Sequence, residues 1–237
     1  MNHIQRKEDV AQAMRDALPI VIAYFPLSMT YGVLASAGGL HGGLAMLGSV
    51  WIFSGGAQFM LLGMLTSASA PVTIVTTLLL LNLRHVLYGA TMGPYLTSWR
   101  EPQKWLAAIG LTDEGFAVTS SRAAQGNPLT PAYYISFALL IYGSWVAGTS
   151  IGIGLGSFVN AELATILSFA LPALFIALLA GGDRTRASML AAVSGALVAV
   201  LASMLHSGGL GLVLGGVVGA TVGQQWTKRS RRAEQAN

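Results

Sequence analysis

The sequence predicts an all-α polytopic membrane protein with about eight transmembrane segments, some of them broken or re-entrant. Three observations carry that expectation. Of 237 residues, 54% are hydrophobic and only 9% charged, with a mean hydropathy of +0.63. These charges are too few to clothe a water-soluble globule of this size. Apolar runs of about 20 residues, long enough to cross a hydrocarbon core as helices, recur along the chain. Lys and Arg gather in alternate connecting segments, as they do where one set of loops stays in the cytoplasm.

The whole chain, 1–237, reads as a single membrane domain. Residues 1–17 form a cytoplasmic amphipathic segment, because Val10, Ala13, Met14 and Ala17 fall at helical spacing between charged positions. Spans are expected near 18–38, 44–66, 71–95, 105–123, 131–157, 163–181, 187–205 and 209–226, and residues 227–237 form a basic cytoplasmic tail containing Lys228, Arg229, Arg231 and Arg232. The first span carries Pro19 and Pro26 and follows a mixed-charge segment, so it reads as an uncleaved span despite the Ala35-Ser36-Ala37 triplet near its end.

An even number of crossings puts both ends on one side. With both ends inside, Arg6, Lys7, Arg15, Arg122, Arg184, Arg186 and the tail are inner, against only Arg100 and Lys104 outside. Both termini are therefore expected in the cytoplasm. The segment 105–123 is short and has Thr112-Asp113-Glu114 near its centre, so it either crosses or enters the membrane as a broken element lining a cavity. Pro26, Pro172, Gly38-Gly39 and Gly55-Gly56 interrupt other helical runs, which is tolerated where backbone is buried or lines a cavity.

The absence of cysteine excludes disulfides, thiolate metal sites and a cysteine nucleophile. No HExxH or paired metal-ligand spacing occurs, so neither metal nor other cofactor is expected. The basic tail beside a span reads as a topology anchor, and no nucleic-acid partner is implied.

The polar cluster Asn82-Leu83-Arg84-His85-Val86-Leu87-Tyr88-Gly89 is sunk in a long apolar run. At about 100° per residue, Asn82, Arg84, His85, Tyr88, Gly89 and Met92 share one arc, while Leu79, Leu80, Leu83, Val86 and Leu87 cover the other. A guanidinium inside a span marks a functional candidate or a buried ion-pair partner, and either role calls for an acid. Asp113 and Glu114 provide one. Neighbouring carboxylates in an apolar element can hold and exchange a proton, bind an ammonium group, or neutralise Arg84 and His85. Asp113, Glu114 and His85 are the proton-coupling candidates.

In Phe53-Ser54-Gly55-Gly56-Ala57-Gln58-Phe59, Gly55 and Gly56 can open backbone toward a ligand, with Gln58 as donor and acceptor, or else they permit a close helix crossing with Gln58 bridging helices. Gly148, Gly152 and Gly156, and Gly211, Gly215, Gly219 and Gly223, form four-residue ridges on which helices pack; the last ridge can seat a partner subunit. The Gly148-Thr149-Ser150-Ile151-Gly152 match to G-x-S-x-G, with His206 further on, offers an intramembrane serine protease as the lesser alternative, but the first ridge explains the pattern and the strained nucleophile turn is absent. No enzyme activity is expected.

Taken together, the proline-containing first span with Tyr31-Gly32, Phe53 to Phe59, Asn82 to Gly89, Leu111 to Ala117 and Phe169 to Phe175 resemble the AzlC family, the large subunits of bacterial branched-chain amino acid exporters. The resemblance implies a secondary transporter that exports amino acids such as valine, acting with a small multispanning AzlD-type subunit. A non-transporting scaffold is the alternative. The substrate site would comprise Gly55, Gly56, Gln58, Asn82, Arg84, His85, Tyr88, Asp113 and Glu114. Arg84 would bind the carboxylate, and Asp113 or Glu114 the ammonium or a coupling proton. Three positions depart from the family pattern: Gly56 and Ala57 stand where alanine and serine are usual, and Ser168 where an aspartate is common.

Overall fold

The computed structural model describes residues 3–167, 169, 172–173, 176, 185–204 and 208–235. All regular structure among them is helical. Most of the expected sixth span, with Ser168 and much of the Phe169 to Phe175 motif, lies outside the described residues, as does His206.

Helix α1, His3–Ala37, runs unbroken through Pro19 and Pro26, so the amphipathic segment is the first part of the same rod as span one. The expected second span is two half-helices, α2 (Gly42–Trp51) and α3 (Gly55–Thr66), parted at Ile52 to Ser54. The third run comprises α4 (Pro71–Asn82), α5 (Arg84–Met92) and a 3-10 turn, Gly93–Leu96. The segment around 105–123 is also broken, into α6 (Glu101–Ile109) and α7 (Asp113–Ala124). Then follow α8 (Pro131–Leu155), α9 (Ala161–Leu167), α10 (Arg186–Met204) and α11 (Gly208–Gln235). The basic tail continues the last helix through Gln235.

Four described stretches are long and apolar enough to cross a membrane: Ile4–Ala37, Pro71–Leu96, Pro131–Phe158 and Arg186–Met204. Helices α2 and α3 are apolar but individually short. With broken helices between long ones, this is an all-α polytopic membrane protein.

The chain forms two compact units, residues 1–67 with 82–171 and residues 68–81 with 172–237. The first is organised on α1 against α8. Gly148, Gly152 and Gly156 lie directly over Ser28, Met29 and Ser36, and a Cβ on Gly152 would collide with the Met29 carbonyl. In the second, Gly211, Gly215, Gly219 and Gly223 of α11 sit against Ala202, Ala199, Gly195, Ala191 and Ala187 of α10. The glycine face that the sequence offered to a partner subunit is thus occupied by the preceding helix. Small residues let these backbones meet, and close packing is what holds helices together where apolar lipid removes the hydrophobic drive.

Candidate functional site

The two breaks and α5 build the site. On α5, Leu83, Val86 and Leu87 are exposed while Arg84, His85 and Tyr88 are half-buried and Met92 is buried, as the helical arc predicts; Gly89 is exposed instead. Arg84 Nη1 lies 2.6 Å from Asp113 Oδ2. The Tyr88 hydroxyl donates to the other oxygen of that carboxylate at 2.7 Å, and its ring stacks on Phe116 with centroids 4.4 Å apart. Both oxygens of Asp113 are therefore engaged from one helix. His85 does not join a carboxylate; its Nδ1 is 3.2 Å from the Asn82 carbonyl.

Asp113 and Glu114 occupy the first turn of α7, which Thr112 caps by accepting from the Gly115 N–H at 3.2 Å. The helix N-terminus favours negative charge there, which explains two adjacent acids at a break in an apolar element. Glu114 turns to α1, where the Tyr24 hydroxyl donates to Oε2 and lies 2.9 Å from Thr112 Oγ1.

Gly55, Gly56 and Gln58 belong to a second group at the α2–α3 break. Gln58 is fully buried. Its Nε2 donates to Ile52 O at 2.9 Å and to Gly48 O at 3.4 Å; its Oε1 accepts from Ser49 at 3.2 Å and Trp145 Nε1 at 3.1 Å. The amide thus serves the backbone released by the break and none of its bonds reaches the Arg84 group. A Cβ on Gly55 would stand 2.7 Å from Trp145 Cη2, so glycine admits the indole. Tyr24 connects the two groups: its ring packs edge-on against Trp145 at 5.1 Å and Phe53 at 6.3 Å.

A cavity of about 320 Å³ lies within the first unit, lined by residues that include Trp51, Phe53, Ser54, Asn82, His85 and Leu111. The hydroxyl of Ser54 and Oδ1 of Asn82 are buried without a hydrogen-bond partner.

Tyr24, Ser54, Phe116 and Trp145 were not expected in the site. Tyr24 stands 90 residues from its acid, in an apolar stretch, and no local spacing announces that pairing. A separate polar group was also unforeseen: Asp16 Oδ2 accepts from Tyr133 at 2.7 Å and is 3.7 Å from Arg122 Nη1, whose guanidinium covers the Tyr133 ring. Ser150 lies in a regular turn of α8, its hydroxyl donating to Val146 O at 2.9 Å, so no nucleophile elbow forms there.

Long spans, half-helices and a half-buried ion pair characterise a polytopic membrane protein. The model of the family described as AzlC protein matches residues 19–159. The chain belongs to the AzlC family, and the match contains the Arg84–Asp113 and Tyr24–Glu114 pairs. An uncharacterized membrane protein of Archaeoglobus fulgidus is 33% identical over 86% of this chain and 89% of its own length. The inner membrane protein YgaZ of Escherichia coli K12 is 32% identical over 81% of this chain and 80% of its own. The branched-chain amino acid transport protein AzlC of Bacillus subtilis is 28% identical over 73% of this chain and 69% of its own. No solved structure matches the chain.

Proposed function

We propose that this protein is the large subunit of a two-component secondary transporter that exports branched-chain amino acids such as valine across the bacterial inner membrane. Membership of the AzlC family and the name of the Bacillus subtilis relative support a membrane transport role. The observation that carries the reading furthest is the Arg84–Asp113 pair at 2.6 Å beside an aliphatic and aromatic cavity.

A zwitterion presents the same two charges as that pair. It can enter by replacing each partner, its carboxylate on Arg84 and its ammonium on Asp113 or Glu114, so that neither protein charge is left alone in a medium of low dielectric. Tyr88, His85 and Asn82 flank this exchange, while Gly55, Gly56 and Gln58 hold the adjoining break open. Asp113, Glu114 and His85 are the groups through which a proton would couple to transport. The partner is a small multispanning AzlD-type subunit, and both termini face the cytoplasm. A pocket of this kind separates one methylene by only about 1–3 kcal/mol, so several aliphatic amino acids are accepted.

The experiment is export of labelled valine from cells fed a valine dipeptide, comparing the wild type with Arg84→Gln and Asp113→Asn at matched membrane abundance. Both substitutions are expected to abolish most export. Unchanged export in both would remove the pair from the substrate path.

A further inference from the structure

The Arg84–Asp113 pair is closed, yet the neighbouring cavity holds polar groups that nothing among the described residues satisfies. Ser54 is 9% exposed, its hydroxyl has no hydrogen-bond partner, and it lines the cavity. It is also the residue before the first turn of the 12-residue helix α3, in extended conformation, and its side chain does not cap that helix. Serine normally caps such a turn by accepting from its N–H groups. With that cap unmade, the first N–H groups of α3, those of Gly55 and Gly56, have no intrahelical acceptor and do not bond the Ser54 side chain. An orphaned buried hydroxyl beside uncapped N–H groups makes a donor set for an anion, and the positive end of the helix favours the same charge.

The rest of the wall fixes what kind of anion. Trp51, Ile52, Phe53, Ile109 and Leu111 supply an apolar surface, and Asn82 Oδ1 is an acceptor without a donor. About 320 Å³ is at the small end of ligand pockets, which run from about 300 to 1,000 Å³. We propose that this cavity is a first station for the transported amino acid, in which the carboxylate rests on the Ser54 hydroxyl at the positive end of α3, the ammonium on Asn82 Oδ1, and the aliphatic side chain on the apolar wall, before Arg84 and Asp113 part. The choice of ligand rests on the transporter reading. The donor set does not.

The test uses the purified full-length chain in lipid nanodiscs and two ligands, valine and isovalerate. Isovalerate carries the aliphatic chain and carboxylate but no ammonium, so it cannot replace both members of the Arg84–Asp113 pair and reports the station alone. Wild type is expected to bind both in competition. Ser54→Ala should weaken both by about tenfold, the scale of one hydrogen bond to a charged group. Ser54→Asp should keep or raise thermal stability, because aspartate caps α3, and should lose isovalerate binding by occupying the N–H groups and repelling the anion. No isovalerate binding to wild type, or affinities for it unchanged in both folded variants, overturns the station. Valine export with Ser54-independent binding leaves the transporter reading standing and removes the station. Ser54-dependent binding without export does the reverse.

Discussion

The indole N–H of Trp145 and the side-chain oxygen of Gln58 meet at 3.1 Å, which fastens the middle of α8 to the first turn of α3. Because the same amide also holds the Ile52 carbonyl, it joins both sides of the α2–α3 break. Gln58→Leu keeps the bulk but leaves the indole N–H unsatisfied, at about 1–3 kcal/mol, and takes from that carbonyl its side-chain donor while the Ser54 N–H remains. A loss of about 1–3 kcal/mol is expected, read as a lowered thermal midpoint in detergent.

Arg84 and Asp113 should behave as a pair in stability as well as in transport. Each single change, Arg84→Gln or Asp113→Asn, strands a charge. The double variant strands none and should be more stable than the sum of the two predicts, with a coupling of about 1–3 kcal/mol. A double-mutant cycle on thermal unfolding measures it, and additivity would mean that the pair carries no mutual energy.

The α1–α8 interface has a sharp steric prediction. Gly152→Ala drives a methyl into the Met29 carbonyl, whereas a Cβ on Gly154 meets nothing within 4 Å. Gly152→Ala should lose much of its folded, monodisperse protein, at a cost of about 1–3 kcal/mol or more. Gly154→Ala should elute as the wild type does in size-exclusion chromatography.

The proposed orientation can be tested cleanly because the chain has no cysteine. A membrane-impermeant thiol reagent applied to intact spheroplasts should label Ser98→Cys, in the expected outer segment, and not Ser230→Cys in the tail. Inverted vesicles should give the opposite pattern. The same pattern in both preparations would refute the assignment.

The membrane class was legible because hydropathy and charge spacing are properties of the chain itself. The exposed apolar face of α5 was legible for the same reason: a periodicity in one helix places Leu83, Val86 and Leu87 outward without knowledge of any neighbour. Asp113 as the acid for Arg84 could be reasoned from the expense of an unpaired charge, and the ion pair has that form. The division of labour between the carboxylates could not, since Glu114 is claimed by Tyr24 from a helix 90 residues away. The part of Gln58 depended likewise on Trp145, 87 residues distant. Local pattern announces that a buried polar group needs a partner, and only the tertiary fold chooses which.

Helices α1 and α7 are pinned to each other twice, Tyr24 to Glu114 and Asp16 to Arg122. The pins are eight residues apart on each helix, 24 minus 16 and 122 minus 114, and run in opposite chain directions. Eight residues of helix measure about 12 Å, so the two rods carry matching rulers. Adding one residue between the pins of either would turn one of them by about 100° and unfasten it. The gap between the acidic end of α7 and its basic end is therefore a length written twice in the chain, and neither copy can drift without the other.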